Sequence, residues 1–281
     1  MRGGPVSPDS PGPRTPEGTV YTHGHHESVL RSHNVRTAAD SAAYLLPHLR
    51  AGMDLLDAGS GPGTITADLA EAVAPGTVTA VEATDQAMEL TRRTAAERDV
   101  NVRCVVTDVH RLDLPDDSFD VVHAHQVLQH VGDPVQALRE MRRVCRPGGV
   151  VAVRDADYAG FTWFPQIPEL DRWLELYRRA AWANGGEPDA GRRLPAWERA
   201  AGFAEVEVSS STWCFADAPS RAWWGGMWAE RILHSAIAAQ LTDTGWATRA
   251  ELEAISAAWL RWTESPDGVL VIPHVEVLAR G

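Results

Sequence analysis

Lysine is absent from this chain of 281 residues, and all 26 of its basic residues are arginine. Catalysis through a lysine Schiff base or a lysine general base is therefore excluded. Acidic residues are in excess, with 38 Asp and Glu and a net charge of −12. Such a chain lacks the basic footprint of nucleic-acid-binding proteins, so we expect no nucleic-acid partner.

Cysteine and long apolar runs are also scarce. Cys104, Cys145 and Cys214 are odd in number and far apart, which does not indicate a disulfide framework. No run approaches the ~18 apolar residues of a membrane span, and the N-terminus has no hydrophobic signal core. These absences predict a cytoplasmic protein with reduced thiols and no membrane partner.

Tryptophan is absent from the first half of the chain, because all 11 tryptophans lie between Trp163 and Trp262. We expect most of them, taken singly, to be packing residues. Together they indicate a bulky apolar pocket, since a small polar ligand does not need aromatic walls. The asymmetry predicts a core domain followed by a region with a different task.

Three segments are predicted from the pattern along the chain. Residues 1–18 carry five prolines and four glycines and are expected to form a disordered tail. Residues 19–50 precede the first strong strand and should form an N-terminal helical cap. Residues 51–281 should form one α/β domain with helical lid insertions at about 158–200 and 216–262.

Strands and helices alternate with short connections from Met53 to about Asp157, which predicts a parallel sheet covered on both faces. Five strands fall in this stretch, and a sixth and a seventh strand follow the two insertions. Asp133 and Pro134 are typical of the N-cap and the first position of a helix. Insertions late in such a domain usually cover the carboxyl edge of the sheet, where ligands bind.

A glycine-rich turn follows the first strand at Gly59, Gly61 and Gly63. It departs from the dinucleotide pattern G-x-G-x-x-G, because the sixth place is Thr64. Acids end three consecutive strands, at positions 57, 82 and 108. A carboxylate at Glu82 can accept both hydroxyls of a ribose, and one at Asp108 can accept a hydrogen bond from an adenine amino group.

Four stretches of the chain resemble successive motifs of class I S-adenosylmethionine-dependent methyltransferases, and the UbiE/COQ5-like small-molecule group in particular. They are LLDAGSGPGT, VEATDQAMEL, TDVHRLDLPDDSFDVVHAHQVLQHVGDP and RPGGVVAVRD. The resemblance covers about residues 53–155 and implies a Rossmann-like α/β fold with a seven-stranded sheet whose last strand is antiparallel. It also implies S-adenosyl-L-methionine as the cofactor.

By match to those motifs, the resemblance also implies site residues. Gly59, Ser60 and Gly61 would face the methionine portion, Glu82 the ribose, and Asp108 with Val109 the adenine. The remaining cofactor-binding candidates are Ala83, Gln86, His125 just past the fourth strand, and Tyr21 in an upstream segment that these proteins place over the cofactor. Tyr21 is a catalytic candidate as well.

A phenol or amine acceptor would benefit from a general base. His130 ranks first because its family position faces the acceptor, although a wall histidine is an equally good interpretation. Asp155 and Asp157 after the fifth strand are further candidates. The cluster of His23, His25 and His26 is another, but its spacing fits no metal site and favours a polar cap.

The chain also resembles actinomycete methyltransferases of secondary metabolism, such as those of teleocidin biosynthesis. The resulting hypothesis is C-methylation of a prenyl alkene on an indole lactam, followed by cation-driven cyclisation, with tryptophan π faces stabilising the cation. The alternatives are O- or N-methylation of an aromatic metabolite, a nucleotide-binding oxidoreductase, and a non-catalytic binding protein. A detached N-terminal helix could exchange between subunits, which predicts a homo-oligomer.

Overall fold

The structure is a computed structural model that describes residues 36–281. Tyr21 and the histidines at 23, 25 and 26 lie outside the described residues, as do the predicted tail and the first part of the predicted cap. Eight strands occur in the described part of the chain. They are β1 (Leu55–Ala58), β2 (Val78–Glu82), β3 (Val102–Val106), β4 (Phe119–His125), β5 (Cys145–Ala156), β6 (Thr162–Phe164), β7 (Glu205–Phe215) and β8 (Val269–Arg280).

Helices separate the strands. In residues 36–281 they are α1 (Ala38–Ser41), α2 (Thr64–Val73), α3 (Asp85–Glu97), α4 (Pro134–Val144), α5 (Pro168–Ala183), α6 (Leu194–Ala201), α7 (Ala218–His234), α8 (Ala236–Asp243) and α9 (Arg249–Glu264). Short 3-10 helices lie at Leu46–His48, Leu128–His130, Tyr158–Gly160 and Gly191–Arg193. The predicted start of α4 is confirmed, because the Asp133 carboxylate accepts a hydrogen bond from the Gln136 N–H at 2.9 Å and Pro134 follows it.

The strands form one sheet in the order β3-β2-β1-β4-β5-β8, with β7 beside β8 at the end. Strands β1 to β5 run parallel to one another, whereas β8 is antiparallel to both β5 and β7. The predicted α/β fold with an antiparallel last strand is therefore confirmed. Because β8 runs the other way, its beginning and the end of β7 lie at the carboxyl edge of the parallel strands.

One strand was not predicted. After β5 ends, the 3-10 helix Tyr158–Gly160 displaces the chain, and the three residues of β6 then pair with the start of β8. Strands β5 and β6 pair with the same side of β8: β6 pairs with its first residues and β5 with its later residues. The sheet is therefore seven strands wide, although it contains eight strands. A three-residue strand carries too little alternation to be seen in a sequence.

Helices cover both faces of the sheet. On the first face, Leu45 and the α2 residues Ile65 and Leu69 pack with Leu55 and Val121. On the second face, residues of α4 and α6 form a separate buried cluster with the alternate strand residues. Helix α6 lies within the span predicted as an insertion, but it packs on α4 and the sheet in the manner of a crossover helix.

Helices α5, α7, α8 and α9 pack on one another, and we call them the helical layer. Their buried residues form one cluster with Trp163 of β6 and with Leu270 and Ile272 at the start of β8. These helices follow β6, follow β7 and precede β8, so they connect to the sheet at its carboxyl edge. The layer thus stands beside the edge at which the sequence predicted ligand binding.

Candidate active site

The turn from β1 to α2 needs glycine at three positions. Gly59, Gly61 and Gly63 have positive φ angles of 75°, 57° and 79°, a conformation that other residues rarely adopt. A Cβ atom at Gly59 would overlap the Val127 side chain, and one at Gly63 would lie 2.9 Å from the Thr91 Cα. A Cβ atom at Gly61 would meet nothing within 4 Å. A ligand can therefore approach the backbone at Gly61.

Glu82, the last residue of β2, lies directly against this turn. Its Oε1 accepts the Gly61 N–H at 2.6 Å, and its Oε2 accepts the Ala83 N–H at 3.2 Å. On the other side of the turn the Ser60 Oγ lies 2.8 Å from the Thr91 Oγ1, which donates to the Gly61 carbonyl oxygen. The carboxylate is thus held beside the open backbone at Gly61, as a ribose-binding residue would have to be.

Four further cofactor candidates follow β2 and β3. Ala83 and Gln86 are exposed at the start of α3. Asp108 is also exposed, in the turn after β3, while Val109 beside it is half-buried against the second-face cluster. Partial burial raises the pKa of the Asp108 carboxyl, but hydrogen bonds from the backbone and the ring of His110 outweigh it and hold the pKa below its ordinary value.

The acid at Asp57 has a different task. Its carboxylate is buried, and it accepts a hydrogen bond from the Thr66 hydroxyl at 2.5 Å and from the His123 Nδ1 at 2.7 Å. Asp57 therefore links β1 to both α2 and β4 next to the glycine turn. Asp57 is therefore not accessible to a ligand, whereas Glu82 is half-buried and Asp108 is exposed.

His125 is the last residue of β4, so the expectation that it lies just past the strand is wrong. The residue is 7% exposed, and its ring lies 5.8 Å from the Trp213 ring and 6.2 Å from the His274 ring. Burial lowers its pKa well below the ordinary value, and the charge of Arg154 adds to this. The ring is therefore neutral and packs against β7 and β8 rather than standing open at the edge.

The next residue, Gln126, has a positive φ of 54°, which is uncommon for a residue with a side chain. Its Nε2 lies 2.9 Å from the Nε2 of His274. The Nδ1 of His274 is 3.1 Å from the Ile272 carbonyl oxygen, to which it can only donate, so Nε2 accepts from Gln126. Burial lowers the pKa of His274 well below its ordinary value, in keeping with this neutral form.

His130 closes the 3-10 helix after β4, and its Nε2 lies 3.0 Å from the Nε2 of Gln129. Burial, together with the nearby charge of Arg36, lowers the pKa of His130 to about 3. An efficient general base has a pKa near the working pH. The structure therefore places His130 in an environment that opposes its protonation.

Both aspartates predicted to follow the fifth strand are engaged elsewhere, and the prediction is wrong for Asp155, which lies within β5. Asp155 is fully buried, accepts the Gln129 N–H at 3.1 Å and has its pKa raised by burial to about 8. Asp157 forms a two-pronged ion pair with Arg192 at 2.6 and 2.7 Å. Asp155 thus supports the loop after β4, and Asp157 is held in its ion pair.

Most of the large aromatic side chains pack on one another inside the helical layer. Trp173 is completely buried, and its ring lies edge-on to those of Trp228 at 4.6 Å and Trp259 at 4.9 Å. Trp262 is also fully buried, with its Nε1 donating to the Phe164 carbonyl oxygen. These tryptophans form a core rather than the walls of an open pocket.

Trp213 is different, because it is half-buried at the end of β7 beside the site. The guanidinium carbons of Arg36 and Arg154 lie 5.1 Å and 5.2 Å from its ring centre, and its Nε1 donates to the Asp40 carbonyl oxygen at 3.3 Å. No pattern in the sequence pointed to Arg36, Gln126, Trp213 or His274 as site residues. Gln126 and His274 alone lie 148 positions apart, and the only local signal was the position of Gln126 directly after a strand.

Comparisons with known proteins agree with this geometry. A family model described as a methyltransferase domain matches residues 56–153. An uncharacterised methyltransferase of Schizosaccharomyces pombe is 34% identical over 267 residues, which is 92% of this chain and 95% of that protein. The chain belongs to the class I S-adenosylmethionine-dependent methyltransferases. It is an enzyme that uses S-adenosyl-L-methionine, so the oxidoreductase and non-catalytic alternatives are set aside.

Two more relatives illustrate the range of the family. A protein of Aspergillus luteorubrus named "Probable methyltransferase ltbC" is 28% identical over 92% of this chain and 96% of its own length. The ubiquinone/menaquinone biosynthesis C-methyltransferase UbiE of Bdellovibrio bacteriovorus is 36% identical over 104 residues, 37% of this chain and 44% of that protein. The similarity to UbiE proteins is therefore restricted to part of the chain.

Solved structures share the fold. A Bacillus halodurans C-125 protein described as a methyltransferase has a TM-score of 0.55 at 18% identity, over 85% of this chain and 97% of that one. Phosphoethanolamine N-methyltransferase 2 of Haemonchus contortus, in complex with S-adenosylhomocysteine, has a TM-score of 0.51 at 17% identity, over 82% of this chain and 49% of that one. Within residues 36–281 no helix is both long and apolar enough to cross a membrane.

Proposed function

We propose that this methyltransferase transfers a methyl group to a bulky hydrophobic small molecule of secondary metabolism, and that the acceptor atom is a carbon of a prenyl alkene on an indole lactam. The observation that supports the choice of atom is that burial lowers the pKa of His125, His130 and His274, so that none of these three histidines is poised as a base. An alkene carbon has no proton to lose before methylation, whereas a neutral phenol or amine does.

The residues present fit the cofactor. The open backbone at Gly61, the carboxylate of Glu82 and the exposed carboxylate of Asp108 lie along the carboxyl ends of β1, β2 and β3. In this proposal Gly59, Ser60 and Gly61 hold the methionine portion, Glu82 accepts the ribose hydroxyls, and Asp108 and Val109 flank the adenine. When bound, S-adenosylmethionine supplies an electrophilic methyl group for an in-line displacement.

The remaining work of the chain is positioning. The acceptor would lie between the glycine turn and the helical layer, with His125, His130 and His274 along the sheet side. Burial keeps all three imidazoles neutral, and nearby arginines oppose their protonation. His130 therefore acts as a wall that can form hydrogen bonds, and the buried helical layer excludes water from the acceptor.

The experiment is incubation of the protein with S-adenosylmethionine and a geranylated indole lactam, followed by mass spectrometry. We expect the mass of one methylene group to be added, with a new ring when the methylated cation is trapped by the indole. The matched control is the same lactam with its geranyl chain hydrogenated, which should remain unchanged. Unchanged geranylated lactam would refute the acceptor, and methylation of both compounds would refute the alkene carbon as the methylated atom.

A second acceptor class is favoured by a different observation. Arg36 lowers the pKa of groups on four separate segments, at positions 125, 130, 158 and 274, so its charge lies close to all of them. A cation in that place would stabilise a phenolate oxygen, which needs no base either. O-methylation of a phenolic metabolite would then follow the ionisation of the acceptor itself, and its rate would rise with pH up to the phenol pKa.

Three further proposals concern the whole protein. We propose a cytoplasmic location, an N-terminal cap over the site that includes Tyr21, and a homo-oligomer in which the N-terminal helix is exchanged between subunits. Deletion of residues 1–35 tests the cap, because it leaves Ala38 and Leu45 in the first-face cluster. Activity should fall while the melting temperature stays close to that of the full chain.

A further inference from the structure

Strand β7 forms one edge of the sheet and is long for an edge strand. Its 11 residues pair with β8 in an unbroken register from Glu205 opposite Arg280 to Phe215 opposite Leu270. No other strand of residues 36–281 pairs with β7. Val208 near its middle is 46% exposed. An exposed strand of this kind presents a row of free backbone donors and acceptors to another chain.

Proteins usually protect such an edge, and β7 lacks several of the common devices. It contains no proline and no lysine, and its register with β8 shows no bulge. Its only charges are Glu205 and Glu207 at one end. The opposite edge of the sheet, β3, is only five residues long. Among residues 36–281, the second side of β7 therefore has no strand paired with it.

We infer that β7 pairs antiparallel with β7 of a second copy of this chain, about a two-fold axis at Ser210. Antiparallel pairing keeps the acidic ends of the two strands apart, whereas parallel in-register pairing would place like charges side by side. In this register Ser209 lies opposite Ser211 of the partner subunit, and Val208 lies opposite Thr212 of the partner subunit. The surface is self-complementary, as a two-fold interface requires.

The same register gives complementary charge beside the candidate active site. Glu207 falls opposite Trp213 of the partner subunit. Within one chain the guanidinium carbon of Arg36 lies 5.1 Å from the Trp213 ring centre. An acid of one copy thus meets the Arg36 and Trp213 pair of the other, and Trp213 contacts His274 and His125 of the site. The second copy would support the edge of the site that faces β7.

Light scattering on the full chain at micromolar concentration tests the interface. We expect a mass of at least twice the 30.6 kDa of one chain, and a larger multiple where exchange of the N-terminal helix adds further copies. Ser210→Lys places two like charges at the two-fold axis and should lower the measured mass by removing this interface, whereas the neutral control Ser210→Thr should leave it unchanged. Both variants should keep the wild-type affinity for S-adenosylhomocysteine. A monomeric wild type, or a Ser210→Lys variant with undiminished mass, would overturn the inference.

Disulfide trapping tests the register separately. In a Cys214→Ser background, Ser210→Cys should form a covalent dimer on mild oxidation, because the two introduced thiols meet at the axis. The matched control is Thr212→Cys on the same exposed strand. In the proposed register the two introduced cysteines of this variant are offset by four residues along the paired strands, too far apart to form a disulfide. It should remain a monomer on a denaturing gel. Equal cross-linking of both variants, or none with Ser210→Cys, would overturn the register.

Discussion

Replacing Glu82 with alanine should weaken cofactor binding more than it weakens the fold. The carboxylate holds the Gly61 N–H at 2.6 Å and is proposed to accept the ribose hydroxyls. Hydrogen bonds to a charged group contribute roughly 1.5–3 kcal/mol each, and the half-buried position of Glu82 reduces that figure. We therefore expect a loss of about 1–3 kcal/mol, which raises the dissociation constant roughly 5- to 150-fold.

The assay is titration calorimetry with S-adenosylhomocysteine, which needs no knowledge of the acceptor. The matched control is Glu89→Ala, because Glu89 is an exposed acid on α3 whose ion pair with Arg92 lies on the surface. The control should bind like the wild type, and thermal unfolding of both variants should show a folded protein. An affinity of Glu82→Ala within twofold of the wild type would refute the ribose assignment.

Three other predictions test the environments of buried groups. His130→Asn should leave the shape of the pH profile of kcat/KM unchanged between about pH 5 and 9, because burial and Arg36 hold the pKa of His130 at about 3. An inflection near pH 6.5 in the wild type that vanishes in the variant would contradict this prediction. Trp173→Ala should lower the free energy of unfolding by about 3–5 kcal/mol in guanidinium titrations while leaving cofactor affinity unchanged, and a loss below about 1 kcal/mol would show that Trp173 is not a packed core residue. Asp155 keeps its proton in the folded chain up to about pH 8 but loses it near pH 4 when unfolded, so its contribution to stability falls as pH rises between those values. The fall in unfolding free energy from pH 5 to pH 8 should be smaller in Asp155→Asn, and an equal fall in both proteins would contradict the raised pKa.

Local patterns in the sequence predicted the parallel half of the fold well. The alternation of short apolar strands with amphipathic helices fixes β1 to β5, and helix signals such as Asp133 before Pro134 are strictly local. The turn at glycines 59, 61 and 63 was recognisable because the three glycines cluster between a strand and a helix. The structure shows that each has a positive φ, which the turn requires. Strand β6 escaped because its pairing with β8 depends on residues more than 100 positions away.

The acceptor side of the site was harder to predict, because distant residues build it. The pair of Gln126 and His274 joins the end of β4 to β8, and Arg36 reaches the site from the N-terminal segment. His130 was predicted as the leading base from its position alone. Its lowered pKa depends on burial and on the charge of Arg36, and neither can be found from spacing along the chain.

The most direct test of the central claim is a calorimetric titration of the wild-type protein with S-adenosylmethionine, S-adenosylhomocysteine and NAD. A class I methyltransferase site with Glu82 at the ribose should bind the first two ligands with dissociation constants on the order of micromolar and should not bind NAD. Binding of NAD without either methionine-derived ligand, or binding of none of the three, would contradict the account.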